Sequence, residues 1–266
     1  MPLIGVAGWP VAHSRSPALH SAAFSALGLT AWRSQLLPIP PELFAETVKA
    51  LPDSGFVGIN VTIPHKEAAL ALADEASEVA RTCGAANTLT FAGGRIGADN
   101  TDAPAIESLI RELLDDPEES SVLLLGAGGS ARAALFAALR AGVGSVRVWN
   151  RTPERAEALC SELGGEPSTE GGAADLLINT TAVGLGADPE AEMAELPFGT
   201  AEIELFPKVI DLVYRGGGTP LANAATTAGC EVADGLEVLV RQGALSLESW
   251  TGKAPPLAPL RAAVAD

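Results

Sequence analysis

The chain has 266 residues, 47% of them hydrophobic and 19% charged, which is enough apolar length for one large core or two smaller ones. Acids outnumber bases 33 to 17, for a net charge of −16, and such a field disfavours nucleic acid and anionic membranes as partners. Small anionic ligands are repelled too, so any that bind need local cations.

Cys83, Cys160 and Cys230 are odd in number, far apart and set in apolar contexts. They read as reduced core residues of a cytoplasmic protein, with no disulfide framework and no metal site. The start Met1-Pro2-Leu3-Ile4-Gly5 lacks the basic segment of a secretory signal. The apolar run from Val122 to Val148 has the length of a membrane span. Arg132, Arg140 and several glycines interrupt it, so a buried strand, turn, helix and strand is the expectation.

In chain order, Leu3 to Gly8 reads as a strand, and Ser16-Pro17 opens a helix, with a capping hydroxyl and an early proline, that runs to Leu27-Gly28. Trp32 to Ile39 is a strand, Pro41 to Leu51 a helix and Phe56 to Ile63 a third, β-branched strand stopped by Pro64. A helix follows over Glu67 to Ala73, then a hairpin from Ala86 to Arg95 around Gly93-Gly94. A long helix from Thr101 to Leu114 ends at Asp115-Asp116-Pro117-Glu118-Glu119, a plausible boundary. Beyond it come Ser121 to Leu125, Ala131 to Ala141, Val146 to Asn150, Pro153 to Leu163, Ala174 to Asn179 and Val209 to Val213, alternately strand and helix apart from the last two, which are both strands. Leu236 to Trp250 and a short Pro-flanked segment close the chain as helices. Alternating strands and helices predict an α/β protein with parallel sheets. The expected divisions are 1–103, 104–235 and 236–266, with the C-terminal helices returning to the first domain and a cleft between the two domains.

Lys66 stands out because it sits at a strand-to-helix turn, where α/β proteins carry their chemistry. A lysine partly buried there can have its pKa lowered and pass a proton.

The second half opens with Val122-Leu123-Leu124-Leu125 running into Gly126-Ala127-Gly128-Gly129-Ser130-Ala131. Gly126 permits the tight turn, Gly128 lets a pyrophosphate approach the backbone, and Ala131 lets helix and strand pack closely. Amides at the helix start then bind phosphate. After the second strand of this half an NAD site wants an acid for the ribose hydroxyl. This chain has Asn150-Arg151-Thr152 with Arg155 one turn later, a set that suits a 2′-phosphate and therefore NADP.

Four polar clusters remain: His13-Ser14-Arg15-Ser16-Pro17, Ala85-Ala86-Asn87-Thr88, Asp99-Asn100-Thr101-Asp102 and Arg241-Gln242-Gly243. Their hydroxyls, amides and carboxylate suit a small polyhydroxylated acid. Together with Gly8 to His20, Asn60 to Lys66, Gly84 to Thr88, Asn179 to Gly184, Asp211 to Tyr214, Thr219-Pro220-Leu221 and Asp234-Gly235-Leu236, they make the chain resemble the shikimate dehydrogenases over nearly its whole length.

That resemblance implies an N-terminal α/β substrate domain, a Rossmann-type NADP-binding domain, and NADP-linked interconversion of 3-dehydroshikimate and shikimate in aromatic amino acid biosynthesis. It implies Lys66 and Asp102 as the catalytic pair, and Ser14, Ser16, Asn60, Thr62, Asn87, Tyr214 and Gln242 around the substrate. It also implies a cofactor site drawn from Gly126 to Ala131, Asn150, Arg151, Thr152, Arg155, Thr180, Val213 and Gly235. Neutral Lys66 takes the hydroxyl proton in oxidation, its ammonium returns it in reduction, and Asp102 orients it. The expected partners are the small-molecule substrate and NADP, with no nucleic acid and no membrane; the chain is expected to be a monomer or homodimer.

The chain departs from the family pattern in three places. Ala103-Pro104-Ala105-Ile106 follows Asp102, Arg215-Gly216-Gly217-Gly218 follows Tyr214 where a proline is usual, and Glu237-Val238 follows Asp234-Gly235-Leu236. The Arg215 to Gly218 loop is expected to border the nicotinamide end and to add flexibility and positive charge. Quinate or aminoshikimate is the alternative substrate, since one ring substituent decides which polar groups stay paired. A catalytically silent NADP-binding regulator would be expected to lack Lys66 or Asp102, and both are present.

Overall fold

The computed structural model describes residues 1–186 and 188–265. Its elements in chain order are β1 (Leu3–Gly8), α1 (Ser16–Ala26), β2 (Arg33–Pro38), α2 (Phe44–Ala50), β3 (Phe56–Val61), α3 (Lys66–Ala71), β4 (Glu75–Ala76) and α4 (Glu78–Cys83). Then come β5 (Thr88–Ala92), β6 (Arg95–Asp99), α5 (Asp102–Leu113), β7 (Ser121–Leu125), α6 (Gly129–Ala141), β8 (Ser145–Trp149), α7 (Pro153–Leu163), β9 (Glu166–Ser168) and β10 (Leu176–Asn179). The last are α8 (Pro189–Met193), β11 (Lys208–Asp211), α9 (Pro220–Thr227), β12 (Glu231–Ala233), α10 (Gly235–Thr251) and α11 (Leu257–Val264). Two compact units result, Met1–Thr101 with Leu239–Ala265, and Asp102–Val238. Asp266, the last residue of the expected C-terminal segment, lies outside the described residues.

The first unit holds a six-stranded sheet in the order β2-β1-β3-β5-β6-β4. β1 pairs in parallel with β2 and β3, while β5 runs antiparallel to both β3 and β6. The sheet is therefore mixed, not purely parallel, because the Gly93-Gly94 turn reverses the chain after only two residues. One face buries Ile59, Val61 and Leu89 against Phe44, Val48, Ala69 and Ala80. On the other face lies α10. A Cβ on Gly58 would run into the Trp250 indole and come within 2.6 Å of the Leu89 carbonyl oxygen, to which Trp250 Nε1 donates at 3.0 Å. Glycine here lets a large aromatic lie flat on the strand.

Several local expectations shift. Ser16 is the first helical residue and not the capping one; Arg15 occupies the cap but spends its guanidinium on the Val264 carbonyl at 2.6 Å and not on the helix start. The helix expected over Pro41 to Leu51 is a 3-10 turn, Pro41–Leu43, followed by α2, since a proline pair starts a tight turn more readily than a full helix. β3 stops at Val61 because Thr62 already turns, its carbonyl accepting from the His65 amide at 3.0 Å. The unforeseen α4 is capped by Ser77, whose hydroxyl accepts from Ala80 N at 3.0 Å.

The second unit has an all-parallel sheet in the order β12-β11-β10-β7-β8-β9. Counted within the unit, that order is the doubly wound 3-2-1-4-5-6 pattern, with the switch between β7 and β10. Both faces are covered, so β7 reads as an unbroken apolar run. Leu124 faces α5, α6 and α7, while Leu123 and Leu125 face Leu196, Phe206 and Leu221. The unit also contains β9, α8, α9 and β12, too short to show a period in sequence. Among the described residues, no helix is long and apolar enough to cross a membrane.

One buried carboxylate ties the end of this sheet together. Asp211 is fully buried and accepts from Asn179 Nδ2 at 2.9 Å, the Val213 amide at 3.1 Å and the Thr219 hydroxyl at 2.5 Å. Thr219 is itself the N-cap of α9, so β10, β11, the following loop and α9 share one anchor. Burial pushes the Asp211 carboxyl up to about 6, against the three donors that pull it down.

Two outcomes follow for stability. Gly58→Ala should cost about 1–3 kcal/mol by overpacking against Trp250 and the Leu89 carbonyl, read as a lowered urea midpoint. Because the folded pKa of Asp211 lies above its unfolded value of 3.8, its contribution is fully present below pH 4 and is lost as pH rises through about 6. The Tm of Asp211→Asn relative to the unmodified protein should therefore improve between pH 4 and 7. A difference flat in pH would refute this.

Candidate active site

In the first unit, the strand directions gather the polar residues at one edge. β1, β3 and β6 end there and β5 begins there, with Asn60 opposite Thr88 and Thr88 opposite Asp99. Asn87 immediately precedes β5, and its carbonyl accepts from the Val61 amide at 2.7 Å. The carbonyl of Lys66 accepts from the Ala86 amide at 2.8 Å, which fixes the start of α3 beside that strand. Lys66 is only 9% exposed. The preceding His65 is locked, its ring stacked on Phe44 at 4.3 Å and its Nε2 bonded to the Ile39 carbonyl at 2.7 Å. Burial holds the His65 pKa below the usual imidazole range.

Asn87 is held from all sides. Its Oδ1 accepts from the Thr101 amide at 2.8 Å and from the hydroxyls of Thr88 and Thr101 at 3.0 and 3.2 Å. Its Nδ2 donates to Thr101 Oγ1 at 3.0 Å and to Gln242 Oε1 at 3.3 Å. Gln242 Nε2 donates back to the Leu239 carbonyl at 2.9 Å. Asn60 joins the cluster through Ser246, to which its Nδ2 donates at 2.8 Å. Among the described residues, Asn60 Oδ1 is the one buried side-chain nitrogen or oxygen with no hydrogen-bond partner. The buried His20 ring interacts with the Asn60 side chain, so this amide is part of the packed interior.

Thus Asn60, Asn87 and Gln242 are brought together by Thr88, Thr101 and Ser246. Ser246 escaped sequence reading, although its hydroxyl sits four residues beyond Gln242 on an otherwise apolar helical stripe. Ser14 and Ser16 form their own pair, Ser14 Oγ donating to Ser16 Oγ at 3.2 Å and accepting from the Ser16 amide at 3.3 Å. Thr62 is half-buried, its amide donating to the Ala7 carbonyl at 2.9 Å. Asp102 and Tyr214 belong to the second unit: Asp102 is the buried first residue of α5, and Tyr214 is half-buried in the loop after β11.

In the second unit the two turn glycines separate by role. Gly126 has φ +109°, and a Cβ there would strike Thr180 Oγ1 at 2.5 Å, so the fold itself demands glycine. Gly128 has φ −97°, open to any residue, and a Cβ there would meet nothing within 4 Å. No internal packing requires glycine at 128, and its absent side chain leaves the backbone open to close approach by a ligand. Gly129 opens α6, Ser130 is half-buried, Ala131 is buried, and half-buried Ala127 packs on the core. These features fit a dinucleotide.

Thr180, immediately after β10, donates its hydroxyl to the Leu125 carbonyl at 2.6 Å, next to the β7 turn. Val213 and Gly235 meet directly, since a Cβ on Gly235 would lie 2.7 Å from the Val213 carbonyl oxygen. Past β8, Asn150 Nδ2 donates to the Thr152 carbonyl at 2.8 Å, Thr152 is the N-cap residue of α7, and Arg155 follows on its first turn. The Arg151 guanidinium is paired with Glu195 at 2.6 Å. The Arg215 to Gly218 loop, expected to be loose and to add free positive charge, is instead tied down. Arg215 donates to the Gly184 carbonyl at 3.0 Å, Gly218 N to the Arg215 carbonyl at 3.0 Å, and Asn223 Nδ2 to the Gly217 carbonyl at 3.0 Å.

Known proteins match this arrangement along the whole chain. Residues 6–89 match the shikimate dehydrogenase substrate binding domain, 108–178 the shikimate / quinate 5-dehydrogenase family, and 235–265 the shikimate 5′-dehydrogenase C-terminal domain. The NADP(+) shikimate dehydrogenase of Paracoccus denitrificans is 42% identical over 96% of this chain and 92% of its own length. That of an Anaeromyxobacter species is 43% identical over 99% of this chain and 95% of its own. The structure of shikimate 5-dehydrogenase from Thermus thermophilus, solved with NADP(H) and shikimate, superposes with a TM-score of 0.87 at 39% identity, covering 99% of this chain and 98% of that one. The chain belongs to the shikimate dehydrogenase family.

Proposed function

We propose that this protein is an NADP-dependent shikimate dehydrogenase, catalysing the reversible reduction of 3-dehydroshikimate to shikimate. One observation carries the reading beyond family membership. The substrate-side amides, Asn60, Asn87 and Gln242, are joined in one buried hydrogen-bonded cluster at the strand edge beside the start of α3 and Lys66. The cofactor side adds an open Gly128 turn and two arginines after β8, fitting a 2′-phosphate.

The unit Met1–Thr101 with Leu239–Ala265 is the proposed substrate domain, and Asp102–Val238 the proposed NADP domain. When bound, the cofactor would supply the hydride acceptor for oxidation as NADP+ and the hydride donor for reduction as NADPH. Lys66 carries the accompanying proton, its neutral amine taking it from the hydroxyl and its ammonium donating it to the carbonyl oxygen. Asp102 orients that amine and the hydroxyl. Ser14 and Ser16 donate to the substrate carboxylate, and Thr62 and Tyr214 complete its polar contacts. Neutral donors let an acidic protein hold an acid without a fixed counter-charge. The cofactor would be held by the Gly126–Ala131 turn, by Asn150, Arg151, Thr152 and Arg155, and by Thr180, Val213 and Gly235. The thiols of Cys160 and Cys230 support a cytoplasmic setting, where the chain would act as a monomer or homodimer.

Turnover with shikimate, quinate and aminoshikimate, each crossed with NADP and NAD, tests the reading. Shikimate with NADP should give the highest kcat/KM, and reduction seen only with quinate and NAD would overturn it. Lys66→Ala should lower kcat by about 10²–10⁴-fold while NADP still binds; a near-normal rate would remove the lysine from proton transfer.

A further inference from the structure

Arg151, the first cation after β8, already has a carboxylate on it. Its Nη1 donates to Glu195 Oε2 at 2.6 Å, with the two side chains 77% and 48% exposed. Exposed pairs are usually incidental, but the backbones behind this one are anchored to the same core. Trp149, two residues before Arg151, packs against the cluster that contains Met193, Leu196 and Phe198. Glu195 thus lies on a short turn between buried neighbours, its amide bonded to the Glu192 carbonyl at 3.0 Å. The Glu192 carboxylate pins that turn from the other side, accepting from the amides of Gly184 at 2.7 Å and Gly186 at 3.2 Å.

A guanidinium fork presents the same donors to a carboxylate as to a phosphate monoester. One occupant displaces the other, and the two anions repel when both are near. In a chain of net charge −16, an acid aimed at a cofactor arginine works against binding of a dianion. A cofactor without the 2′-phosphate meets no such opposition, since an acid near the end of the second strand accepts a hydrogen bond from its ribose hydroxyl. Among the described residues Arg155 has no ion pair, so the opposition falls on one of the two arginines.

We propose that Glu195 is a cofactor-selectivity residue. It occupies the Arg151 guanidinium in the cofactor-free protein, competes with the 2′-phosphate, and so weakens NADP binding and narrows the preference for NADP over NAD. This rests on the assignment of Arg151 to the 2′-phosphate. For an exposed pair the expected effect is about two- to fivefold in Kd.

Calorimetric titration of the full chain with NADP and with NAD tests it in four proteins: unmodified, Glu195→Gln, Arg151→Gln and the double variant. Glu195→Gln should tighten NADP about two- to fivefold without tightening NAD, and should change nothing when Arg151 is already glutamine. Unchanged or weaker NADP binding in Glu195→Gln overturns the proposal. So does equal tightening of both cofactors, or tightening that persists without Arg151. If Arg151→Gln keeps the full preference for NADP, the 2′-phosphate assignment itself fails and the competition falls with it. The Arg151→Gln arm alone shows that case, so the two failures are distinguishable.

Discussion

A parallel strand cannot be closed by a two-residue turn; its chain leaves the C-terminal end through a loop and returns along a helix. Every βα unit therefore places one loop at the same edge of its sheet, with a helix start beside it. In the second unit this edge carries Gly126, Asn150, Thr180 and Val213, each next to the end of a different strand. In the first unit β1 and β3 carry Ser14 and Lys66 just beyond their ends. The antiparallel hairpin then does what a third parallel strand could not. It brings the start of β5 and the end of β6 to that edge, so Asn87 and Thr101 meet at hydrogen-bond distance. The candidate site inherits its geometry from strand direction before any side chain is chosen.

Charge imposes the second constraint. A strongly acidic chain that binds an acidic substrate and a phosphorylated cofactor must concentrate its attraction locally. On the proposed substrate side the candidates are hydroxyls and amides, which donate without carrying charge. On the proposed cofactor side the candidates are Arg151 and Arg155 and the backbone around the Gly128 turn. Two more acids shape that unit without a place in hydride or proton transfer. Asp211 is buried and serves the fold, whereas Glu192 sits on the surface and holds the loop after β10.

The elements most legible in sequence were those buried on one or both faces. β1, β7 and α7 run over the residues their patterns indicate, because hydrophobic periodicity and a proline at the helix start set the same limits. Legibility failed where an element owes its existence to tertiary partners. β9 and β12 have three residues each and form only because β8 and β11 already offer an edge. For the site, motifs marked Lys66, Asn87 and Gln242, since polar residues at strand ends and on helices are visible one by one. Ser246 and Glu195 were not visible. Their significance depends on contacts across 158 and 44 positions of sequence, to Thr88 and Arg151 respectively, and no local pattern encodes those. The Arg215 to Gly218 loop shows the same limit from the other side. Three glycines argue for looseness, yet the Gly184 carbonyl and the Asn223 side chain hold the loop in place.

The hydrogen bonds of Asn87 and Gln242 limit how this cluster can recognise a ring. An amide free to rotate offers a ligand either its oxygen or its nitrogen and discriminates little. Here Gln242 spends its oxygen on Asn87 and one hydrogen on Leu239, and both ends of Asn87 are bonded. Rotation of either amide would break several buried bonds at once, each costing roughly 1–3 kcal/mol if left unmade. The cluster therefore presents a fixed pattern of donors and acceptors to whatever ring binds beside it. A ring lacking a matched hydroxyl leaves a buried group unpaired, which is how a polar site rejects a near-isostere more strongly than an apolar pocket can. Thr88, Thr101 and Ser246 hold the amides still, so any selectivity the cluster would exert among ring substituents depends on those groups as much as on the amides themselves.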